Sequence, residues 1–403
     1  MKGANAFSFA TASCASLTAA QTAVPEGAIL VPMIRNQDQS AYFAELQVGT
    51  PPQSSWLKVD TGSPTYSFVD SQNDLCQSAK QRCERYGSYN NKTSSTSLFQ
   101  GSGFHNALQS HGTGDYLSDT VGIGGVSTDH LYFGFITKFG FPDRVIGDVY
   151  SILGMSLDCG VAGPECTGKG PYVLPQLRQA SSINRMVSSI YLGPDELETA
   201  YPEMILGGYY DEAKVGGDLF TLNMVDPHSA PALRQTNSVN VTAIEVIVDG
   251  AEAASGSYGE PGVGVPVLMD TGVASWYLPT TIADAIYESL GGLLDGAFNP
   301  AVPHQAIDCK YRDAENVKGS VAVHFGSVGK IEIPLHTLVT QFTDDSCATY
   351  VSSRSDTPFI FGDPFLRGVY TIFDQENWTL TMSKVNYTRE QRIVPLPEGG
   401  FKA

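Results

Sequence analysis

The sequence predicts a mainly β protein built as two similar lobes, and three observations predict it. The 403-residue chain is rich in glycine (41) and proline (23), with 42% hydrophobic and only 16% charged residues. That balance suits short strands joined by many turns. One segment occurs twice, as Trp56-Leu-Lys-Val-Asp60-Thr61-Gly62-Ser63 and as Val265-Pro-Val-Leu-Met-Asp270-Thr271-Gly272-Val273. Each copy leads, at nearly the same distance, to an apolar strand closed by glycine. Asp60 to Gly154 is 94 residues and Asp270 to Gly362 is 92. The stretches between barely match, so the repeat is structural rather than a tandem array. The length suits two domains, placed here at 28–215 (N-terminal lobe) and 216–403 (C-terminal lobe).

The elements follow in order. Ala28 to Phe43 alternates as an entry strand and continues through Tyr42–Gly49 to a turn at Thr50-Pro51-Pro52-Gln53. The first aspartate strand comes next. Residues 70–103 are polar and read as loop. A hairpin is expected over 104–125, with Gly112-Thr-Gly114 as its turn signal. Strands are expected at Leu131–Gly140, Val149–Gly154, Met204–Gly208 and Leu219–Met224. Leu174–Met186 has helical spacing. Residues 226–238 separate the halves, Val239–Val248 is strongly β, and 250–264 is a Gly/Ala/Ser loop. After the second aspartate strand a helix is expected over Thr281–Leu290 with Thr280 as its cap. Strands close the chain at Val321–Phe325, Ile331–Pro334, Phe359–Phe361, Tyr370–Phe373 and Trp378–Met382.

With 24 basic against 42 acidic residues the formal charge is −18. Such a surface repels nucleic acid and anionic membranes, so neither is an expected partner. It also suits an acidic medium, where self-repulsion falls as carboxylates protonate. Residues 1–20 read as a signal peptide and 21–27 as a short pro-segment or leader remnant. No apolar run is long enough for a membrane span, and the C-terminus lacks the tail of a lipid-anchor signal. The expectation is a secreted monomer without a membrane anchor. Of the seven cysteines, Cys14 leaves with the leader. The other six fall as Cys76–Cys83, Cys159–Cys166 and Cys309–Cys347, three expected disulfides out of 15 possible pairings. Asn91, Asn240, Asn377 and Asn386 open glycosylation sequons.

The doubled segment carries the chemistry. A carboxylate at the end of a buried strand is costly unless it is paired. One from each lobe can meet across a pseudo-twofold axis, and two that close cannot both ionise. The ionised carboxylate then acts as general base toward a water between them, while the protonated one polarises the scissile carbonyl. Asp60 and Asp270 are the catalytic candidates. Gly62 and Gly272 let backbone N–H groups approach the carboxyls. Thr61 and Thr271 can bond across the interface, and Ser63 adds a hydroxyl beside Asp60. There is no G-x-S-x-G, H-E-x-x-H, phosphate loop or metal spacing, so no cofactor and no metal is expected.

On these residues the sequence resembles the pepsin-like aspartic protease family, in its fungal secreted form. The resemblance covers about Ala28 to Met382. It includes Tyr42–Gln53, both Asp-Thr-Gly triplets, Ile152-Leu-Gly154 and, most strongly, Phe361-Gly-Asp-Pro-Phe-Leu-Arg-Gly-Val-Tyr-Thr-Ile-Phe-Asp374. Cys76–Cys83 and Cys309–Cys347 resemble the family's disulfides; Cys159–Cys166 looks like an addition. The resemblance implies a bilobal pepsin-like fold of two β-barrel-like lobes, a cleft between them, and aspartic endopeptidase activity on an extended peptide or protein.

Three departures stand out. Val273 replaces the hydroxyl residue that follows the family's triplet, which favours the protonated form of Asp270 and an optimum at higher pH. The flap tyrosine position falls on His111 or, in another alignment, on Leu108, with Gly112 beside it. A protonated His111 near the dyad would oppose the Val273 effect. Only about 20 residues separate the expected cleavage site from the Tyr42 strand, and they are poor in basic residues, so a charge-based inhibitory segment is not expected. Val273 and the changed flap keep a second reading open, a catalytically weak or inactive pepsin-fold binding protein. Tyr66, Phe68, Phe104 and Leu108 can line a pocket or the core.

Overall fold

The computed structural model describes residues 24–36, 41–78, 82–106, 112–142, 147–157, 170–195, 201–227, 237–294, 304–343, 345–355 and 359–403. The expected leader, residues 21–23, Leu108, His111, Cys159 and Cys166 lie outside the described residues.

The two halves fold alike around their aspartate strands. In the first, Gln53–Asp60 runs parallel to Ser151–Gly154, with Asp60 opposite Gly154. Ser151–Gly154 is antiparallel to Tyr66–Val69, which runs parallel to Val126–Phe139. In the second, Val265–Met269 runs parallel to Phe359–Phe361, with Met269 opposite Phe361. Phe359–Phe361 is antiparallel to Trp276–Pro279, which runs parallel to Val351–Arg354. The four-strand order is the same, so the matched spacing of the two landmarks reflects matched topology. Both landmark glycines answer to crowding by the chain that follows the aspartate. A Cβ on Gly154 would lie 2.4 Å from the Thr65 nitrogen, and one on Gly362 2.3 Å from the Val273 oxygen.

A six-strand antiparallel run joins the halves. Its order is Phe220–Asn223, Thr379–Lys384, Val369–Asp374, Val187–Tyr191, Glu203–Leu206 and Ile29–Asn36. Three strands come from each half, and the join is the pairing of Thr371–Asp374 with Val187–Ile190. One continuous apolar core, from Ile29 through Leu153 to Met382, spans both lobes. The disulfides Cys76–Cys83 and Cys309–Cys347 form as expected.

Several expectations need correction. Gly112-Thr-Gly114 is not a turn: it opens the strand Gly112–Ile123, where buried Gly112 sits opposite Asn106 and Phe139. The loop expected over 70–103 ends early, because Leu98–Asn106 pairs with that strand as an exposed sheet edge. Residues 250–264 are not all loop either, since Ala251–Ser257 pairs with Ala243–Val248. Both missed strands are mostly exposed edges, so no buried face imposes an alternation on them. Val239–Val248 divides at Thr242: Ser238–Val241 joins Val265–Met269, while Ala243–Val248 joins Gly319–Phe325.

The expected helix over 174–186 spans only Val173–Gln179. Ser181 takes a left-handed conformation (φ 59), and the N–H groups of Ser182 and Ile183 turn back to the Leu177 oxygen. That closes the helix as a left-handed cap does. The second helix is Thr280–Ser289. Thr280 lies inside it and is not its cap: its hydroxyl accepts from Ser353 at 2.9 Å instead.

Candidate active site

The ends of the two aspartate strands meet. A Cβ on Gly62 would stand 2.1 Å from Cγ of Asp270, and one on Gly272 2.6 Å from Cγ of Asp60. Each triplet's glycine therefore faces the other triplet's carboxyl, and only glycine leaves room for it. The Gly62 N–H donates to Oδ1 of Asp60 at 3.0 Å, and the Gly272 N–H to Oδ1 of Asp270 at 2.7 Å. The two carboxyls come within hydrogen-bonding reach of each other.

The threonines lock this arrangement reciprocally. The Thr61 hydroxyl donates to the Met269 oxygen at 2.8 Å and accepts from the Thr271 N–H at 2.9 Å. The Thr271 hydroxyl donates to the Val59 oxygen at 2.8 Å and accepts from the Thr61 N–H at 3.1 Å. Both are buried, where satisfied hydrogen bonds hold geometry most firmly. Asn237 donates to the Thr61 oxygen at 2.9 Å, and Gln375 to the Met155 oxygen at 2.6 Å, which ties the triplet loop to the Gly154 strand end. Neither residue was anticipated; nothing local in the sequence marks an amide as a brace.

The dyad is not symmetric. Ser63 donates to Oδ2 of Asp60 at 2.7 Å, so that carboxyl has two donors. Val273 has no hydroxyl to offer Asp270. Burial, and then the neighbouring Asp60, push the Asp270 carboxyl well above the usual range, against smaller opposing effects of Lys58 and the Gly272 N–H. The Asp270 carboxyl is thus raised in the direction expected from Val273, although burial is the larger cause.

Sequence reasoning also passed over a buried ionic cluster between the halves. Asp363 accepts from Arg35 and Arg367, each at 3.0 Å, and from the Tyr42 hydroxyl. Asp195 pairs with Arg35 and Arg312 at 2.5 Å and with Arg367 at 3.4 Å. Burial alone would raise the Asp195 carboxyl, but Arg367 and Arg35 outweigh it and hold it low. The motif from Phe361 to Asp374 thus supplies an anchor, Asp363 and Arg367, beside its landmark glycine. Tyr66 and Phe68 are fully buried with Phe133 in the core, and Phe104 packs in a smaller cluster with Ile136.

Residues 41–385 match the model of the family described as eukaryotic aspartyl protease. The chain belongs to this family. Among curated proteins, the aspartyl protease is 25% identical over 386 residues to "Probable aspartic-type endopeptidase OPSB" of Arthroderma benhamiae, covering 90% of this chain and 72% of the relative. It is 26% identical to secreted aspartic protease 8 of Candida albicans, over 88% of this chain and 78% of the relative. It is 27% identical to the acid protease of Saccharomycopsis fibuligera, over 87% and 82%. Among the described residues no helix is long and apolar enough to cross a membrane.

Proposed function

We propose that this chain is a secreted aspartic endopeptidase that hydrolyses peptide bonds with a water activated between Asp60 and Asp270. The observation that carries the reading is the reciprocal approach of the two triplets, each glycine making room for the opposite carboxyl. Asp60, with two donors on its oxygens, suits the ionised role of general base. Asp270, held protonated by burial and by Asp60, suits the acid that polarises the scissile carbonyl. The attacking water gives its proton to Asp60 as its oxygen bonds the carbonyl carbon. The Asp270 proton stabilises the developing gem-diol oxygen. Collapse of that diol, with a proton passed to the amide nitrogen, breaks the C–N bond.

The family and the named relatives support an extended peptide or protein as substrate and secretion as the setting. In this reading the lobes divide near residues 215 and 216, the molecule acts as a monomer, and the peptide lies between the lobes. In the same reading the hairpin of Leu98–Asn106 and Gly112–Ile123 serves as the flap over the peptide, and Leu108, His111 and Gly112 are its substrate-binding residues. The test is cleavage of a denatured protein across pH 3 to 7, with and without a statine-containing peptide. Cleavage that statine blocks is expected; absence of cleavage at every pH would overturn the reading.

A further inference from the structure

Lys58 stands two residues before Asp60 on the strand Gln53–Asp60. Alternate residues of a strand share a face. Trp56, Lys58 and Asp60 therefore lie on one side, while Ser55, Leu57 and Val59 are buried on the other. Lys58 pairs in register with Phe43 on one flank and Ile152 on the other. Its ammonium lies 5.6 Å from the centre of the Tyr150 ring and is hydrogen-bonded to the Tyr150 hydroxyl. That ring packs edge-on against Phe43 and Tyr86, with centroids 5.4 and 5.8 Å away. The side chain is half-buried and has no salt-bridge partner among the described residues. A cation in this place, in a chain with a formal charge of −18, calls for a role.

We propose that Lys58 determines specificity: its ammonium receives a carboxylate side chain of the peptide next to the scissile bond, so the enzyme selects Asp or Glu there. The inference rests on Asp60 and Asp270 being the centre where the peptide binds. Two residues along a strand span about 6.6 Å. That is the scale separating a scissile carbonyl seated on Asp60 from the tip of the side chain flanking it. An ammonium brings three donors. One of them goes to the neutral Tyr150 hydroxyl, which holds the cation without neutralising it and leaves the others for a ligand. Burial works against the Lys58 charge, but Tyr150, Asp60 and Asp270 more than restore it, so the side chain stays cationic. Those three groups also set the competing field. A dyad carrying one negative charge repels an acidic side chain, and the ammonium beside it offsets that repulsion.

The test uses the intact protein and peptides identical except for Glu, Gln or Leu on either side of one cleavable bond. The ratio of kcat/KM for Glu over Gln is measured at pH 3.5, 5 and 6. A second series replaces the scissile bond with a reduced, uncleavable one and reads the same ratio in Kd. We expect Glu to be favoured roughly tenfold at pH 6, about one charge-assisted contact. The preference should fade at pH 3.5, below the ordinary glutamate value of about 4.3. Lys58→Arg should keep the preference, and Lys58→Met should bring the ratio within twofold of one. A ratio near one in the native protein at pH 6, in cleavage and in binding, would overturn the proposal. So would a preference that survives Lys58→Met, and the native pH series decides even if that variant fails to fold. Preferential binding without cleavage would uphold Lys58 and overturn the catalytic reading; cleavage without preference would do the reverse.

Discussion

Gly62 and Asp270 lie 208 positions apart in the chain, yet a Cβ on Gly62 would fall 2.1 Å from Cγ of Asp270. The contact leaves no room for even a methyl group, and the atom it would displace belongs to a carboxyl of the proposed dyad. Gly62→Ala should therefore lower kcat at least about a hundredfold while the fold survives, since a displacement near 1 Å at a reacting group costs that much. Near-UV circular dichroism alongside peptide kinetics checks this. A correctly folded variant with near-normal kcat would contradict it.

The asymmetry of the dyad gives a prediction with a sign. A hydroxyl at position 273 would donate to the ionised form of Asp270 and so draw its pKa down from its raised position. In the proposed mechanism, loss of the Asp270 proton sets the basic limb of activity. Val273→Thr should move that limb to lower pH by about 0.7 unit, the equivalent of a net hydrogen bond of about 1 kcal/mol. The pH profile of kcat/KM reads it directly, and an unmoved limb would count against it.

The buried cluster around Asp363 should matter for stability rather than chemistry. Asp363→Ala leaves Arg35 and Arg367 short of a buried partner and should cost about 3–5 kcal/mol. Tyr42→Phe removes a single donor to a buried carboxylate and should cost about 1–3 kcal/mol. Urea unfolding of both variants measures the difference. Equal, small losses would mean that the cluster does not brace the halves.

A second buried carboxyl pair predicts weakness at neutral pH. The buried Glu203 and Asp211 carboxyls lie within hydrogen-bonding reach of each other, with Lys214 Nζ 3.8 Å from Oδ2 of Asp211. Burial, and to a lesser degree Asp211, push the Glu203 carboxyl up to about 7, against Lys214 and Gln391. The folded protein therefore keeps a proton that the unfolded chain releases near pH 4.3. The stability this provides is complete below that point. It is lost as pH rises toward 7, by at most about 1.4 kcal/mol per pH unit. Glu203→Gln should flatten the slope between pH 4.5 and 7 in urea titrations; an unchanged slope would locate the alkaline weakness elsewhere.

Much of the site was legible in the sequence because strand, aspartate and glycine signals are local and occur twice. Asp60, Asp270, Thr61 and Thr271 follow from a pattern of a few residues and one matched spacing. Partnerships set by tertiary contact were not legible. Arg35 and Asp363 meet across 328 positions, and Asn237 braces Thr61 across 176. Ala251–Ser257 escaped because an exposed edge strand needs no apolar face. The triplet Gly112-Thr-Gly114 misled because glycine serves close strand packing as well as turns. A Cβ on Gly114 would lie 1.9 Å from the Phe135 oxygen.

The central claim is that Asp60 and Asp270 act as one dyad, and Asp270→Asn tests it most directly. The substitution keeps the volume and the Gly272 contact but removes the titrating proton. Cleavage of a peptide, measured as kcat at the optimum pH, should fall at least about a thousandfold, as for the loss of a group required in the transition state. A statine-containing peptide should still bind. Activity within tenfold of the native protein would contradict the claim.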